Sequence, residues 1–210
     1  MKQEELDIIL ENHGKWLFNE GGDRADLSNA DLKNTNLRFA NLRLADLRGA
    51  NLSYADLNGA DLNGADLRGA NLSYADLSYA DLNGADLRGA NLSYADLSYA
   101  DLNGANLSYA NLSYADLSYA DLNGANLSYA NLNWINWRDV VSLTVIAVQI
   151  NTTRKNNQIT YIKELEIWTT GCFQGTLEEL KTSIENTHKD NEKLKAKYYR
   201  VIDFILQEAE

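Results

Sequence analysis

Apolar residues recur every five positions through the middle of the chain. From residue 25 to residue 134 the third residue of each of 22 consecutive pentads is Leu, and the first is Ala except at Thr35. The second residue is always Asp or Asn, and the last two are polar, Gly or Tyr apart from Phe39, Leu44 and Trp134. This spacing matches neither the 3.6-residue period of a helix nor the alternation of a strand. It predicts short extended sides with Leu and Ala pointing inward, joined by a corner every five residues.

A second period, four pentads long, is superimposed on the first. Residues 65–84 and 85–104 are identical, and the blocks on either side, 45–64 and 105–124, each differ from them in one pentad. Four pentads therefore form one turn of a solenoid, and every fourth pentad stacks on the same face. The 22 pentads predict 22/4 = 5.5 turns, about 26 Å of rod at roughly 4.8 Å per turn. Asp, Asn and Gly suit the corners, because Asp and Asn side chains can bond the nearby backbone.

The pentads ADLRG, ANLSY and ADLNG resemble the A(D/N)LXX repeats of the pentapeptide repeat family over about half of the chain. The resemblance implies a mainly β fold, a right-handed quadrilateral parallel β-helix. The segment GCFQGTLEEL and the HGKW near the start also look like arrangements in pentapeptide proteins of bacteria and prophages. This second resemblance is weaker and brings no activity with it.

The two ends of the chain depart from the repeat. Residues 4–13 have the apolar spacing of an amphipathic helix, and Gly14 is expected to stop it. After the repeat, residues 144–150, 159–163 and 165–169 are predicted strands, separated in the first case by the polar loop NTTRKNNQ. A capping box at residues 176–179 predicts one helix, and a last helix begins near Asn191.

We therefore predict three domains: an N-terminal helical cap over residues 1–24, the β-helix over residues 25–137, and a small α+β module over residues 138–210 that caps the last turn. Each turn of a solenoid contacts only its neighbours, so both ends of the rod need covering.

Net charge and cysteine content restrict the partners and the cellular compartment that we expect for this protein. The net charge is −11, of which residues 25–134 carry −7, from 6 basic and 13 acidic side chains. Such a rod is a poor partner for nucleic acid or an anionic membrane. The single Cys172 excludes an internal disulfide, and residues 140–150 are about half the length of a membrane span. With no apolar signal core near the start, we expect a soluble cytoplasmic protein.

Stacking of every fourth pentad sorts the outer side chains into four faces. Face one pairs Asp with Arg, at Asp46, Asp66, Asp86, Arg48, Arg68 and Arg88. Face two carries Asn and Tyr, at Asn51, Asn71, Asn91, Asn111, Tyr54, Tyr74, Tyr94 and Tyr114. Face three carries Asp and Tyr, at Asp56, Asp76, Asp96, Asp116, Tyr79, Tyr99 and Tyr119. Face four carries Asp and Asn, at Asp61, Asp81, Asp101, Asp121, Asn63, Asn83, Asn103 and Asn123.

Faces three and four form the candidate interaction surface. Their aspartates are turn residues required by the frame, or else an anionic surface that mimics a phosphate backbone; weak cation binding is a third possibility. The tyrosines either stabilise one another by stacking or offer binding area at low entropic cost.

The sequence offers no convincing catalytic, cofactor or metal site. Cys172 and His188 are the one combination of residue types that could act as nucleophile and base, but no third partner is evident. His13 and His188 lack metal-ligand spacing. We expect a non-enzymatic structural or protein-interaction scaffold with an unknown protein partner, either a monomer or a homodimer through the C-terminal module. The alternative is a DNA-mimicking regulator of a DNA-binding enzyme such as gyrase.

Overall fold

A computed structural model describes residues 1–150 and 158–209. The chain divides into two compact units. The first contains Met1–Asn131 and Ile135–Ser142, and the second contains Leu132–Trp134 and Leu143–Glu210. The pentads fill most of the first unit, whereas the second holds a small sheet and two helices.

The first unit is a parallel solenoid that repeats every four pentads. Parallel bridges join the second residues of pentads one turn apart, from Asp26 paired with Asp46 to Asp121 paired with Val141. The last two residues of each pentad form a turn, and the fifth has a positive φ, for example +60° at Tyr79. The predicted period of four pentads per turn is therefore confirmed.

Backbone hydrogen bonds run along the solenoid axis and tie each turn to both neighbours. Asn91 donates its N–H to Ala70 of the preceding turn at 2.9 Å, and Leu92 donates to Asn111 of the following turn at 2.8 Å. Because the same pairing recurs down the repeat, the backbone polar groups are satisfied without long strands.

Leucine fills the interior of the solenoid. Every pentad Leu from Leu27 to Leu127 is buried, and most of the alanines two positions earlier are buried as well. Among the first residues of the pentads, Ala30, Ala40 and Ala125 are partly exposed. The apolar pattern of the sequence is thus the core of this unit.

We predict that substitutions at Leu92 test this core directly. Leu92→Ala should lower the free energy of unfolding by about 2–5 kcal/mol because it leaves a cavity in the packed column. Leu92→Asp should prevent the central turns from folding because it buries an unpaired charge. Thermal melts followed by circular dichroism measure both, and an Asp variant that melts like the parent would contradict the inward placement.

The helix α1 (Gln3–Leu17) lies over the open edge of the first turn. The N-terminal amine of Met1 donates to the carbonyl of Asp31 at 2.7 Å. The Gln3 side chain donates to the carbonyl of Asn36 at 3.1 Å and accepts from its N–H at 3.3 Å. Groups that would otherwise be unpaired at the end of the solenoid are satisfied in this way.

The prediction that Gly14 ends this helix is wrong, since α1 continues to Leu17. Glycine in a helix costs about 1 kcal/mol relative to Ala, and the docking of α1 outweighs that local preference. The chain instead turns at Gly21 and Gly22, whose φ angles are +91° and +77°. A Cβ at Gly22 would lie 2.2 Å from the carbonyl oxygen of Asn12, so only glycine fits there.

A buried histidine completes the contact between α1 and the first turn. The backbone N–H of Ala25 donates to Nδ1 of His13 at 3.1 Å. Nδ1 is therefore unprotonated, and Nε2 carries the proton that it donates to the carbonyl of Arg43 at 2.9 Å. Burial lowers the pKa of His13; the bond to Arg43 opposes this, and the nearby charge of Arg24 adds to the lowering.

We predict that acid weakens this end of the protein. The folded pKa of His13 lies below its unfolded value, so the stability it contributes is present above about pH 6.5. That stability is lost as pH falls through the lowered folded pKa. Urea melts between pH 7 and pH 5 should show a steeper loss for the parent than for His13→Asn, which keeps an acceptor but cannot titrate. Parallel pH slopes in the two proteins would contradict this account.

The second unit is a four-stranded antiparallel sheet with two helices. Its strands, in the order β1-β2-β3-β4, are β1 (Val145–Gln149), β2 (Gln158–Ile162), β3 (Ile167–Thr170) and β4 (Phe173–Gly175). The helices are α2 (Leu177–Thr187) and α3 (Glu192–Glu208). Trp168 and Ile159 of the sheet pack with Leu180 of α2 and Ile202 of α3.

The predicted starts of the two helices in this unit are confirmed, whereas the predicted strands are wrong in part. Thr176 and Glu179 form the expected capping box, and Asn191 caps α3. The predicted strand at residues 165–169 begins later, because Lys163–Leu165 form a 3-10 turn that ends on Glu166 at φ +53°. Strand β4 was not predicted. Residues 151–157, most of the expected polar loop, lie outside the described residues.

Candidate interaction surface

The candidate aspartates hold the turns of the solenoid. Each accepts, through Oδ1, a hydrogen bond from the backbone N–H two residues later, at 2.9 Å for Ser98 on Asp96 and 3.1 Å for Asn63 on Asp61. The same bond occurs at all eight positions: Asp56, Asp76, Asp96, Asp116, Asp61, Asp81, Asp101 and Asp121. All eight side chains are partly buried. Each aspartate is thus a turn residue whatever else it does.

Face one is neutralised by ion pairs. Arg48 Nη2 lies 2.5 Å from Asp46 Oδ2, and its Nε lies 3.7 Å from Asp66 of the next turn. Arg68 repeats the arrangement with Asp66 at 2.6 Å. Hydrogen bonds from these arginines lower the pKa values of Asp46 and Asp66 despite partial burial. This face presents alternating charges rather than an anionic surface.

In the middle of the rod, the aspartates of faces three and four are not neutralised by ion pairs. At the start of the rod, Arg38 pairs with Asp56 at 3.3 Å and Arg43 with Asp61 at 3.9 Å. No described cation lies within ion-pair distance of the central aspartates, which are Asp76, Asp81, Asp96 and Asp101. Asp116 and Asp121 at the far end also have no described ion-pair partner, but they accept hydrogen bonds from neutral side chains of Asn136, Asn103 and Ser142.

At the far end of face three, Asp116 is held by neutral donors. Desolvation raises its pKa, but hydrogen bonds from Ser118 and from the Asn136 side chain, the latter at 3.0 Å, outweigh it and the net shift is downward. Asp116 therefore stays ionised at neutral pH.

Tyrosine rings stack at three corners of the solenoid, in two long columns and in one pair, Tyr109 with Tyr129, whose centroids are 5.0 Å apart. In the column Tyr79–Tyr99–Tyr119 the ring centroids are 4.8 and 4.7 Å apart, with interplanar angles of 2° and 7°. The column that begins at Tyr54 and ends at Tyr114 has the same spacing, 4.7–4.8 Å. The expected Tyr ladders are therefore present, and most of their rings are about half exposed.

The two long tyrosine columns lie at the corners on either side of face three. Tyr74 ends the pentad before Asp76, and Tyr79 ends the pentad that contains it, so the Asp76 side lies between two tyrosine corners. Face four has a tyrosine corner on one edge and a glycine corner, represented by Gly84, on the other. The sequence-based candidate surface omitted the Tyr54–Tyr114 column. The signal was present, since each of these tyrosines stands two residues before an aspartate of face three.

The remaining chemically reactive side chains lie elsewhere. Cys172 is exposed in the turn between β3 and β4, and the His188 ring stacks on Tyr198 with centroids 5.2 Å apart. His13 forms hydrogen bonds with backbone groups at the edge of the first turn. Within the described residues, no group of three or more His, Cys, Asp or Glu side chains could hold a metal ion, and no helix is long and apolar enough to cross a membrane.

The fold and its surface define a class of solenoid: a parallel β-helix made of five-residue sides with a leucine interior. The family profile "Pentapeptide repeats" matches eight copies in this chain, over residues 25–64, 50–89, 70–108 and 105–136. These matches together span more than half of the sequence. The chain belongs to the pentapeptide repeat family.

Solved structures of the same family are similar to this chain. Rfr23 from the cyanobacterium Cyanothece 51142 is 31% identical, with 62% of this chain and 97% of that chain covered and a TM-score of 0.36. HetL, involved in heterocyst differentiation regulation in Nostoc sp. strain PCC 7120, is 40% identical over 57% of this chain and 62% of its own, with a TM-score of 0.24. QnrB1, a plasmid-mediated fluoroquinolone resistance protein, is 24% identical over 56% and 76%, with a TM-score of 0.34. No curated protein is significantly similar to the chain.

We predict that the turn role of the face-three aspartates needs their Oδ1 but not their charge. Asp96→Asn should leave the free energy of unfolding unchanged within about 0.5 kcal/mol, because an Asn oxygen can accept the Ser98 N–H. Asp96→Ala should cost about 1 kcal/mol, because that donor loses its partner. Urea denaturation of the two variants tests this. An Asn variant as unstable as the Ala variant would show that the charge itself holds the turn.

Proposed function

We propose that this protein is a non-enzymatic scaffold that binds a protein partner through faces three and four. The observation that carries the proposal is the persistence of tyrosine at corners where the backbone favours glycine. The fifth residue of every pentad sits near φ +60°, and the same frame accepts Gly at equivalent corners such as Gly59 and Gly84.

Comparing backbone strain with ring stacking indicates that tyrosine at these corners does not make the fold more stable than glycine would. A left-handed conformation costs a residue with a Cβ roughly 1–2 kcal/mol. A stacked cross-strand aromatic pair returns about 0.2–1 kcal/mol. Stacking therefore offsets the strain at best, and a role for the rings at the surface is the simpler reason for keeping them. Tyrosine is enriched in protein interfaces.

The free carboxylates support the same surface. Asp76 and Asp96 on face three, and Asp81 and Asp101 on face four, have no described ion-pair partner, whereas face one has paired its aspartates. A surface of exposed rings and unpaired carboxylates suits a basic partner, and the pairing between turns holds it rigid, which lowers the entropic cost of binding.

The alternative, a DNA-mimicking regulator of an enzyme such as gyrase, fits these features less well. Faces three and four together offer two carboxylates per turn of about 4.8 Å, close to one charge per 2.4 Å. Duplex DNA carries one charge per ~1.7 Å. The tyrosine columns also have no counterpart on a phosphate backbone.

The proposal also includes expectations about the solenoid's geometry, its capping, and the protein's compartment and oligomeric state. We take the solenoid to be right-handed with about 5.5 turns, the second unit to cap its last turn, and the protein to act in the cytoplasm as a monomer or as a homodimer through that unit.

We predict that a bacterial lysate contains a protein that the immobilised full chain retains. A variant with Asn at Asp76, Asp81, Asp96 and Asp101 should lose this protein while its circular dichroism stays that of the parent. The control replaces the three ion-paired aspartates of face one, Asp46, Asp66 and Asp86, by Asn and should retain the partner. Equal retention by parent and face-three-and-four variant would contradict the proposed surface.

The same variant separates the two functions. A scaffold should leave gyrase supercoiling unaffected at micromolar concentration. Inhibition by the parent that disappears in the variant would favour the DNA-mimicking regulator.

A further inference from the structure

We infer that the middle of face three is a docking groove for a partner segment that carries closely spaced arginines. This inference rests on the proposed scaffold function and names its binding face and the chemistry of the partner. We call this strip of surface the groove: its middle carries Asp76 and Asp96, and the rings at the corners on its two sides, called its walls, are those of Tyr74, Tyr94, Tyr79 and Tyr99.

The first support is that the protein already seats its own arginines at both ends of this face. Parallel bridges place Asn36 below Asp56 and Asn136 above Asp116, so the pentads of Arg38 and Arg138 are the two end rows of face three. In the lower row the Arg38 guanidinium donates to Asp56 Oδ2 at 3.3 Å and to Asn58 Oδ1 at 2.8 Å. It also lies 5.3 Å from the centroid of the Phe39 ring.

The upper row shares only the aromatic contact, because the carboxylate partner of Arg138 is the next residue of the chain and not an aspartate of face three. The Arg138 guanidinium lies 5.6 Å from the centroid of Tyr119, the last ring of its column, and its Nε donates to Asp139 at 3.3 Å. At the lower end a face-three aspartate binds a guanidinium, and at the upper end the Tyr119 ring lies beside one; carboxylate and aromatic contacts of these kinds suit arginine.

The second support is that the middle rows have the acceptors but lack the arginine. The position held by Arg38 and Arg138 is occupied there by the short side chains of Ser78 and Ser98. Oδ1 of Asp76 and of Asp96 accepts from the turn, at 2.9 Å in each case. Within the described residues, no donor reaches Oδ2 of either aspartate, which leaves one carboxylate oxygen per turn for a ligand.

The third support is the pair of walls, which distinguishes face three from face four. The rings at Tyr74 and Tyr79 are 47% and 61% exposed, and they stand at the two corners that flank Asp76. Ring edges on both sides exclude water from a bound guanidinium and strengthen its pairing with the carboxylate. The tyrosine hydroxyls add acceptors. Face four has equal charge but a glycine corner on one side.

The dimensions fit a peptide laid along the rod. Successive carboxylates are one turn apart, about 4.8 Å as measured by the stacked rings. Alternate side chains of an extended segment are about 6.6 Å apart, a difference that a long arginine side chain can absorb. Duplicated arginines in an extended partner segment can therefore pair with Asp76 and Asp96 together.

Fluorescence anisotropy of a dye-labelled peptide tests the inference on the full chain. The probe alternates glycine with three arginines, and a second probe has lysine in place of arginine. We expect the arginine probe to bind more tightly than the lysine probe, because a fork of donors engages carboxylate and ring edges together. Equal binding of the two probes, or no binding of either at low salt, would overturn the inference.

Matched variants locate the site. Asp76→Asn with Asp96→Asn should weaken arginine-probe binding about tenfold or more. Asp81→Asn with Asp101→Asn removes the same charge from face four and should weaken it by less than about threefold. Tyr74→Asn with Tyr94→Asn, which keeps a residue tolerated at this corner in Asn29 and Asn34, should also weaken binding. Equal losses from the two aspartate pairs would show a general acidic attraction and overturn the groove.

The peptide-binding and lysate experiments can contradict the groove and the scaffold proposal independently of each other. If the lysate partner is lost with the face-four pair and kept with the face-three pair, the scaffold stands and the groove is wrong. If the arginine probe binds in face three as expected while the lysate yields no partner that depends on these aspartates, the groove stands and the scaffold proposal is wrong.

Discussion

The structure depends on backbone pairing between equivalent residues of successive turns. Each bridge, such as Asp76 with Asp96, fixes the height of a turn and the direction of its side chains. The pairing works only if the chain turns a corner after every third residue of a pentad, which places the fifth residue in the left-handed region of φ. Leucine in the interior and a polar outer surface follow from this one constraint.

Strict repetition made the solenoid predictable from its sequence. A single pentad would be ambiguous, but an unbroken run of Leu in one register leaves one inward-facing set, and the nested period of four pentads gives the number of sides. The turn role of Asp and Asn was predictable for the same reason, because short-range side-chain bonds depend on local spacing. The 20-residue period alone assigns Tyr79, Tyr99 and Tyr119 to one column.

Features that depend on contacts distant in sequence were not predictable. Gly14 has the local chemistry of a helix stop, yet α1 continues because Gln3 and His13 bond first-turn residues far along the chain. Strand β4 has too few residues to give a pattern. A pattern that assigns each tyrosine to a single face leaves out that Tyr74, as a corner residue, borders face three as well as face two.

The repeat also explains how one frame produces unlike faces. The frame restricts three positions of each pentad and leaves the fourth and fifth open to variation, so charge and aromatic area can change at the surface without disturbing the core. Face one uses that freedom to pair Arg48 with Asp46, which cancels its charge. Face three places arginines only at its end rows, with Asn58 and three serines at the same position between them. With the backbone the same on both faces, the difference between a neutral face and one that retains free carboxylates lies in those two positions alone.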